Sequence, residues 1–406
     1  MPVNLDSKGS SEQASETRDD KRKNRYRFST AFSPSAPITQ QELFASRGTR
    51  FDDVLQIITQ RGQHGVIYGE RGVGKTSFAT MMADVYSDVI LTGRANCASG
   101  EDFSTVVRHL FDSIVLTLHT PRAGFEAPPK EVVITAKELL GKDDLAPDDV
   151  RRALALLSGS GQPIVLFIDE FDRIEDRVTR RKFADAIKAL SDYAVDATIV
   201  LVGVADNVGE LIAEHQSINR ALVQIHMPRM ETSELGEIVD KGMAKGGMAI
   251  ENSAKEWIVS LSRGLPHYTH LLSLHAGLAA ISEDRDTITE ADVRTAIRAA
   301  ITKAQEYILQ MYEKATWSTR QTNYREVLLA CAVAPTDARG YFAASDVRDP
   351  LSTILSRKYE IPNFIANLNK LASEERGDVL QKTGIARSFR YRFRDPLLQP
   401  YVILRG

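Results

Sequence analysis

The run Gly69-Glu70-Arg71-Gly72-Val73-Gly74-Lys75-Thr76 constrains this chain more than any other stretch. It fits G-x-x-x-x-G-K-[ST] at every fixed position, the pattern of a loop that cradles phosphate. Gly65-Val66-Ile67-Tyr68 before it reads as a short buried strand, and the residues from Ser77 to Ala83 read as a helix. Glycines let the backbone curl so that several N–H groups face one anion. The helix N-terminus adds partial positive charge at the same point. Gly69, Glu70, Arg71, Gly72, Val73, Gly74, Lys75, Thr76 and Ser77 are therefore expected to bind ATP. Lys75 would reach the β- and γ-phosphates, and the Thr76 hydroxyl would enter a Mg2+ shell.

A second motif completes the expected site. Ile164-Val165-Leu166-Phe167-Ile168-Asp169-Glu170 is an apolar run ending in two carboxylates, which suits a strand buried on both faces of a parallel sheet. Asp169 at its tip is expected to hold Mg2+. Glu170 is expected to polarise the attacking water as general base, which favours hydrolysis over passive nucleotide binding. Asp172 and Arg173 fall on the following turn and read as structural.

Composition narrows the class. The chain has 406 residues, 43% hydrophobic and 26% charged, ordinary for a globular protein with room for two or three domains. A net charge of −3 gives no global basic field, so any nucleic-acid contact must be local. Cys97 and Cys331 are far apart and form neither a disulfide frame nor a zinc pattern. The longest apolar runs fall far short of a membrane span, and the polar N-terminus shows no secretory h-region. A cytoplasmic location, with no membrane partner, is the expectation.

Along the chain, residues 1–27 are polar and read as a disordered tail. Residues 28–230 alternate short apolar strands with amphipathic helices. Strands are expected at Gly65–Tyr68, Asp88–Thr92, Ile164–Ile168, Thr198–Val204 and Leu222–His226, with helices including Phe103–Leu118, Asp149–Leu157 and Arg177–Asp192. The expected fold class is α/β, a parallel sheet with helices on both faces and the nucleotide at its C-terminal edge. Thr120–Leu145 reads as a surface insertion. Residues 231–305 carry four helical segments and read as a lid domain. Residues 306–406 read as helix, helix, then hairpin, the order of a winged helix. In Ser388-Phe389-Arg390-Tyr391-Arg392-Phe393-Arg394 aromatic and arginine residues alternate. A strand would point Phe389, Tyr391 and Phe393 inward and leave Arg390, Arg392 and Arg394 as an outward basic stripe, with Lys382 and Arg387 nearby.

Taken together, these residues resemble an AAA+ P-loop ATPase of the initiator-like group, which includes origin-recognition and transposition-regulator ATPases and the related STAND NTPases. The resemblance implies a P-loop parallel sheet, a helical lid and a C-terminal winged helix. Val200 to Asn207 looks like the sensor-1 strand, with Asp206 where an amide is usual and Asn207 adjacent. His215 to Arg220 resembles an arginine-finger box. Arg220 would then act on the ATP of a neighbouring copy in a homo-oligomer, or pair with a surface acid. Arg263-Gly264-Leu265-Pro266-His267 resembles sensor 2, with His267 in place of the usual arginine and Arg263 as its substitute. Leu43 to Gly48 resembles a segment lining the adenine pocket, with Pro37 and Ile38 packing on the base.

Two functions remain open. One is an ATP-hydrolysing protein that assembles with ATP and binds double-stranded DNA through Lys382, Arg387, Arg390, Arg392 and Arg394, with the helix at Pro362–Ala372 reading sequence. The other is a STAND-like switch that controls an unidentified protein partner without touching DNA. Alternating arginines on a hairpin also serve as a solvated edge that blocks strand pairing. A small-molecule kinase lacks an acceptor pattern here, and an unfoldase lacks an aromatic-glycine pore loop.

Overall fold

The computed structural model describes residues 21–34, 49–120, 130–141, 144–159, 161–205, 209, 218, 220–302, 306–318, 322–337, 339–385 and 388–406. In chain order the helices are α1 (21–29), α2 (Thr49–Thr59), α3 (Lys75–Val85), α4 (Phe103–Asp112), α5 (Pro147–Ser158), α6 (Arg177–Asp192), α7 (Thr232–Gly246), α8 (Asn252–Ser262), α9 (Pro266–Ser282), α10 (Glu290–Thr302), α11 (Glu306–Thr316), α12 (Tyr324–Val333), α13 (Ala344–Ile354), α14 (Ile361–Leu371) and α15 (Leu398–Arg405). The strands are β1 (His64–Gly69), β2 (Leu91–Asn96), β3 (Val115–Thr120), β4 (Lys130–Thr135), β5 (Ile164–Asp169), β6 (Ala197–Val204), β7 (Leu222–His226), β8 (Ala249–Ile250), β9 (Thr287–Ile288), β10 (Phe342–Ala343), β11 (Leu380–Thr383) and β12 (Arg390–Phe393).

The central sheet is parallel throughout, in the order β2-β5-β6-β1-β7. Every residue of β5 is buried, as an unbroken apolar run requires when helices cover both faces. α6 starts at Asp176, whose carboxylate accepts from Val178 N and Thr179 N, and it buries Phe183, Ile187 and Leu190 on one stripe. β6 lies between β1 and β5, so the loop after β1 and the carboxylates after β5 flank one strand end. One core fills one face of the sheet under α4, α5 and α6. The core on the other face runs continuously into α7–α10, so the lid helices share apolar packing with the sheet. A third core belongs to the C-terminal unit, where α12, α13 and α14 back a three-stranded sheet of order β10-β12-β11.

Several expectations were displaced. Residues 21–27 belong to helix α1, where Lys21 Nζ pairs with Asp284 at 2.6 Å. Phe28 and Phe32 explain the order: both are buried, and their rings fill notches cut by glycines. A Cβ at Gly277 would fall 2.0 Å from the Phe28 ring, and one at Gly242 2.2 Å from the Phe32 ring. The expected helix Phe103–Leu118 stops at Asp112, and Val115–Thr120 forms a hairpin with Lys130–Thr135. β-branched residues on both sides of the turn favour that pairing. The expected strand Asp88–Thr92 sits a few residues later, at Leu91–Asn96. α13 and α15 were not foreseen, since Pro350 and Pro400 interrupt their apolar patterns. Among the described residues no helix is long and apolar enough to cross a membrane.

Candidate nucleotide-binding site

The loop from Gly69 to Gly74 connects β1 to α3 through backbone that only glycine accepts easily. Gly69 has φ 152°, and a Cβ there would lie 2.3 Å from the Met227 carbonyl oxygen. Gly74 has φ 94° at the N-cap of α3, and no side chain caps that end. Gly74 has no side chain to cap the helix start, which leaves room for an anion there.

A cleft of about 420 Å³ opens at this helix end. Arg71, Gly72, Gly74, Lys75, Thr76 and Ser77 line one side, and Asp169 and Glu170 line another. The two motifs, almost a hundred residues apart in sequence, therefore meet. Lys75 is 8% exposed. Its Nζ donates to the carbonyls of Gly69 (3.0 Å) and Glu70 (2.8 Å). Burial pushes its pKa down to about 8, against the opposing charges of Asp172, Asp169 and Glu70. An amine desolvated in this way, beside an uncapped helix start, fits the phosphates of a nucleotide. Thr76 and Asp169 share the cleft with it, an oxygen pair of the kind that Mg2+ takes. Glu170 caps β5 in a left-handed conformation, φ 53°, which turns its half-exposed carboxylate out of the strand line.

Three expected loop members do not line the cleft. Val73 is buried in the core. Gly69 packs under the loop against Met227. Glu70 turns away, and its Oε2 accepts from Arg229 Nε at 2.9 Å, both side chains being 9% exposed. Arg220 is exposed at the entry to β7 and is not among the cleft residues. Asp206, Asn207, Arg387 and the segment Pro37–Gly48 lie outside the described residues.

Other residues entered the site unannounced. Asp172 and Arg173, read from sequence as structural, both line the cleft. Asp172 Oδ1 accepts from Val204 N at 2.8 Å and so ties the acidic turn to the tip of β6. Arg173 Nη1 lies 3.1 Å from Glu170 Oε2. Ser33, Pro34, Pro266 and His267 close the cleft from the N-terminal segment and α9. His267 donates from Nδ1 to the Pro34 carbonyl at 2.7 Å, and burial lowers its pKa. Arg263 does not stand in for a phosphate-binding arginine. Its guanidinium donates to Ala334 O at 2.7 Å in the C-terminal unit. The sequence signal for Asp172 and Arg173 was their place one turn after the acidic pair, which a helical reading of the stretch concealed.

In the C-terminal unit, Tyr391 and Phe393 are buried as expected. The arginines beside them are engaged. Arg390 pairs with Asp337 at 3.0 Å and Arg394 with Asp378 at 2.5 Å. Arg392 donates to Gln381 Oε1 at 2.8 Å and stacks over Tyr341. Lys382, exposed, stands across the ladder from Tyr391 and donates to Asn369 on α14 at 2.8 Å.

The sheet order, the glycine loop and the acidic pair define a P-loop NTPase fold. A sequence profile of the Novel STAND NTPase 1 family, nSTAND1, matches residues 32–346, and the chain belongs to that family. It thus falls among the STAND P-loop NTPases. No curated protein sequence matches it. Among solved structures, it is similar to the Walker-type ATPase paby2304 of Pyrococcus abyssi at 16% identity and TM-score 0.54, over 92% of this chain and 99% of that one. It is also similar to Cdc6p from Pyrobaculum aerophilum, at 14% identity and TM-score 0.47 over 93% and 97% of the two chains. A third is the Aeropyrum pernix ORC1 protein, solved in complex with DNA, at 13% identity and TM-score 0.46 over 89% and 92%. At these identities the first similarity shows a shared fold.

Proposed function

We propose that the protein is an ATP-hydrolysing molecular switch whose C-terminal unit reads the state of the phosphate loop. The observation that carries this reading is a direct dock between the two. Gln399 Oε1 accepts from Arg229, which in turn binds Glu70 of the loop. Asp395 lies 3.5 Å from Arg71, and a Cβ at Gly72 would meet Leu397 Cδ2 at 3.2 Å. Tyr268 OH donates to Leu397 O at 2.6 Å. A loop that moves on binding phosphate would disturb the contacts of Glu70, Arg71 and Gly72 together, while the Tyr268 bond holds the C-terminal unit to α9.

The roles assigned are these. Lys75 and the α3 N-terminus hold the phosphates, and Thr76 and Asp169 hold Mg2+, which neutralises phosphate charge when bound. Glu170 accepts the proton of the attacking water. Exposed Arg220 would act on the nucleotide of a second copy, making assembly depend on ATP. We divide the chain functionally into the nucleotide-binding sheet (28–230), the lid (231–305) and a winged-helix unit (306–406). The helix order α12, α13, α14 followed by the β11–β12 hairpin supports the last name.

Direct DNA binding has less support. Arg390 and Arg394 each pair with an acid of the same unit and Lys382 donates to Asn369 on α14, so DNA phosphates would compete with these half-exposed bonds for the stripe. The deciding experiment compares ATP turnover and Kd in wild type and Glu170→Gln, with and without double-stranded DNA. The switch reading expects Glu170→Gln to keep its Kd, to lose turnover about 10²-fold or more, and neither protein to respond to DNA. DNA stimulation that fades with salt and vanishes in Arg390→Ala/Arg392→Ala/Arg394→Ala would overturn it in favour of a DNA-acting ATPase.

A further inference from the structure

Arg173 stands three residues after Glu170, one 3-10 turn on, where side chains at i and i+3 eclipse. The ion pair between them is half exposed, 55% for the arginine and 49% for the glutamate. The backbone beneath it is fixed. Arg173 N donates to Glu170 O at 2.9 Å, the Phe171 side chain is buried, and Asp172 is bonded to Val204 N. A rigid turn therefore carries a solvated pair, and exposed pairs of this kind hold together only weakly.

The one other arginine among the described lining residues, Arg71, faces Asp395 and the Tyr307 ring from the phosphate loop. Lys75 serves the phosphates from the loop side. Nothing else among the described lining residues offers positive charge from the side of the attacking water.

We infer that Arg173 is a catalytic arginine acting within its own chain: it holds Glu170 while the cleft lacks ATP and passes to the γ-phosphate when ATP binds. The inference rests on Glu170 being the general base. A base must lie within hydrogen-bond reach of the water, and the water lies in line with the γ-phosphorus. A guanidinium already bonded to that carboxylate is separated from the phosphorus by three legs of about 3 Å, at most roughly 9 Å, a gap that a swing of the arginine side chain can close. A triphosphate carries several negative charges against the single charge of Glu170 and accepts a guanidinium bidentately, so the exchange runs toward phosphate. It also frees Glu170 at the moment the base is needed. In the step, the water oxygen bonds to the γ-phosphorus and the bridging P–O bond breaks, its electron pair leaving with ADP. The water proton passes to the Glu170 carboxylate and then to solvent. Arg173 makes and breaks no covalent bond; it offsets charge on the equatorial oxygens.

The test uses the full chain with Arg173→Ala and Arg173→Lys. Turnover in Arg173→Ala should fall on the order of 10³-fold, with part of it restored in Arg173→Lys. Affinity for ATP should weaken while affinity for ADP, which lacks the γ-phosphate, stays at the wild-type value. Adding excess Lys75→Ala protein, which keeps Arg173 but should not hold ATP, should leave Arg173→Ala inactive. Three results would each overturn the inference: wild-type or faster turnover in Arg173→Ala, rescue by the Lys75→Ala protein, or equal loss of ATP and ADP affinity. Glu170→Gln separates the two failures. Turnover retained there removes the base assignment and this inference with it; turnover lost there but kept in Arg173→Ala removes this inference alone.

Discussion

Lys75 makes nucleotide affinity depend on pH in a window where few other groups titrate. Burial lowers its pKa from 10.5 to about 8 in the nucleotide-free cleft, so the charged amine costs the empty fold about 3 kcal/mol, at about 1.4 kcal/mol per pH unit. The charge is present below pH 8 and lost as the pH rises through it. Phosphates favour the charged form and raise the pKa in the complex. Binding above pH 8 must then take up a proton. From pH 7 to pH 9 the charged fraction drops from about 90% to about 10%, which weakens binding about tenfold, or about 1.4 kcal/mol. His267 does not share the window, because burial holds it below its ordinary value, and the Cys97 thiol is pushed up to about 12. Titration calorimetry with Mg-ATP at pH 7, 8 and 9, in two buffers of different ionisation enthalpy, reads both affinity and proton uptake. The empty protein should also gain stability between pH 8 and 10.5, where the unfolded lysine binds protons that the folded one does not. A Kd constant from pH 7 to 9 with no proton uptake would refute the reasoning.

Three further outcomes are expected. Gly69→Ala should lower thermal stability by an amount corresponding to ~3 kcal/mol or more and abolish nucleotide binding, because the new Cβ meets the Met227 carbonyl at 2.3 Å; a wild-type melting temperature would count against the loop geometry. Gln399→Leu removes the acceptor for Arg229 and the donor to Ala332 O, so it should cost about 1–3 kcal/mol and speed ADP release, measured by displacement of a fluorescent nucleotide. An unchanged release rate would separate the C-terminal unit from the loop. Gly277→Ala should expel the Phe28 ring, which stands 2.0 Å from the added methyl, and expose the basic segment around Arg27 to trypsin while α9 stays protected; equal cleavage in both proteins would deny the notch.

Some of this was legible in the sequence because it depends on local rules. The glycine loop must curl and Ile164–Ile168 must be buried on both faces, whatever the rest of the chain does. The helix Arg177–Asp192 was readable to the residue because Asp176 caps it and its apolar period is regular. The hairpin alternation placed Tyr391 and Phe393 inside for the same reason. Where propensity and tertiary pairing disagreed, the reading failed: Val115–Leu118 continues a helical pattern but finds a partner strand in Lys130–Thr135, and only that partner decides its state. The polar tail up to Arg27 looked unable to fold, since its anchors, Phe28 and Phe32, seat in notches on α7 and α9 more than two hundred residues away.

The site divides along the same line. The sequence by itself determined which residues meet in the cleft from its two motifs, because a phosphate loop and a strand-end acid pair are each built from neighbours in the chain. It could not show that Glu70 leaves the cleft for Arg229, or that Gln399 completes that link. Those contacts join residues 159 and 170 positions apart, and no local periodicity records them. Burial and charge pairing in the assembled fold decided them, as they decided that Arg390, Arg392 and Arg394 bond within their own unit.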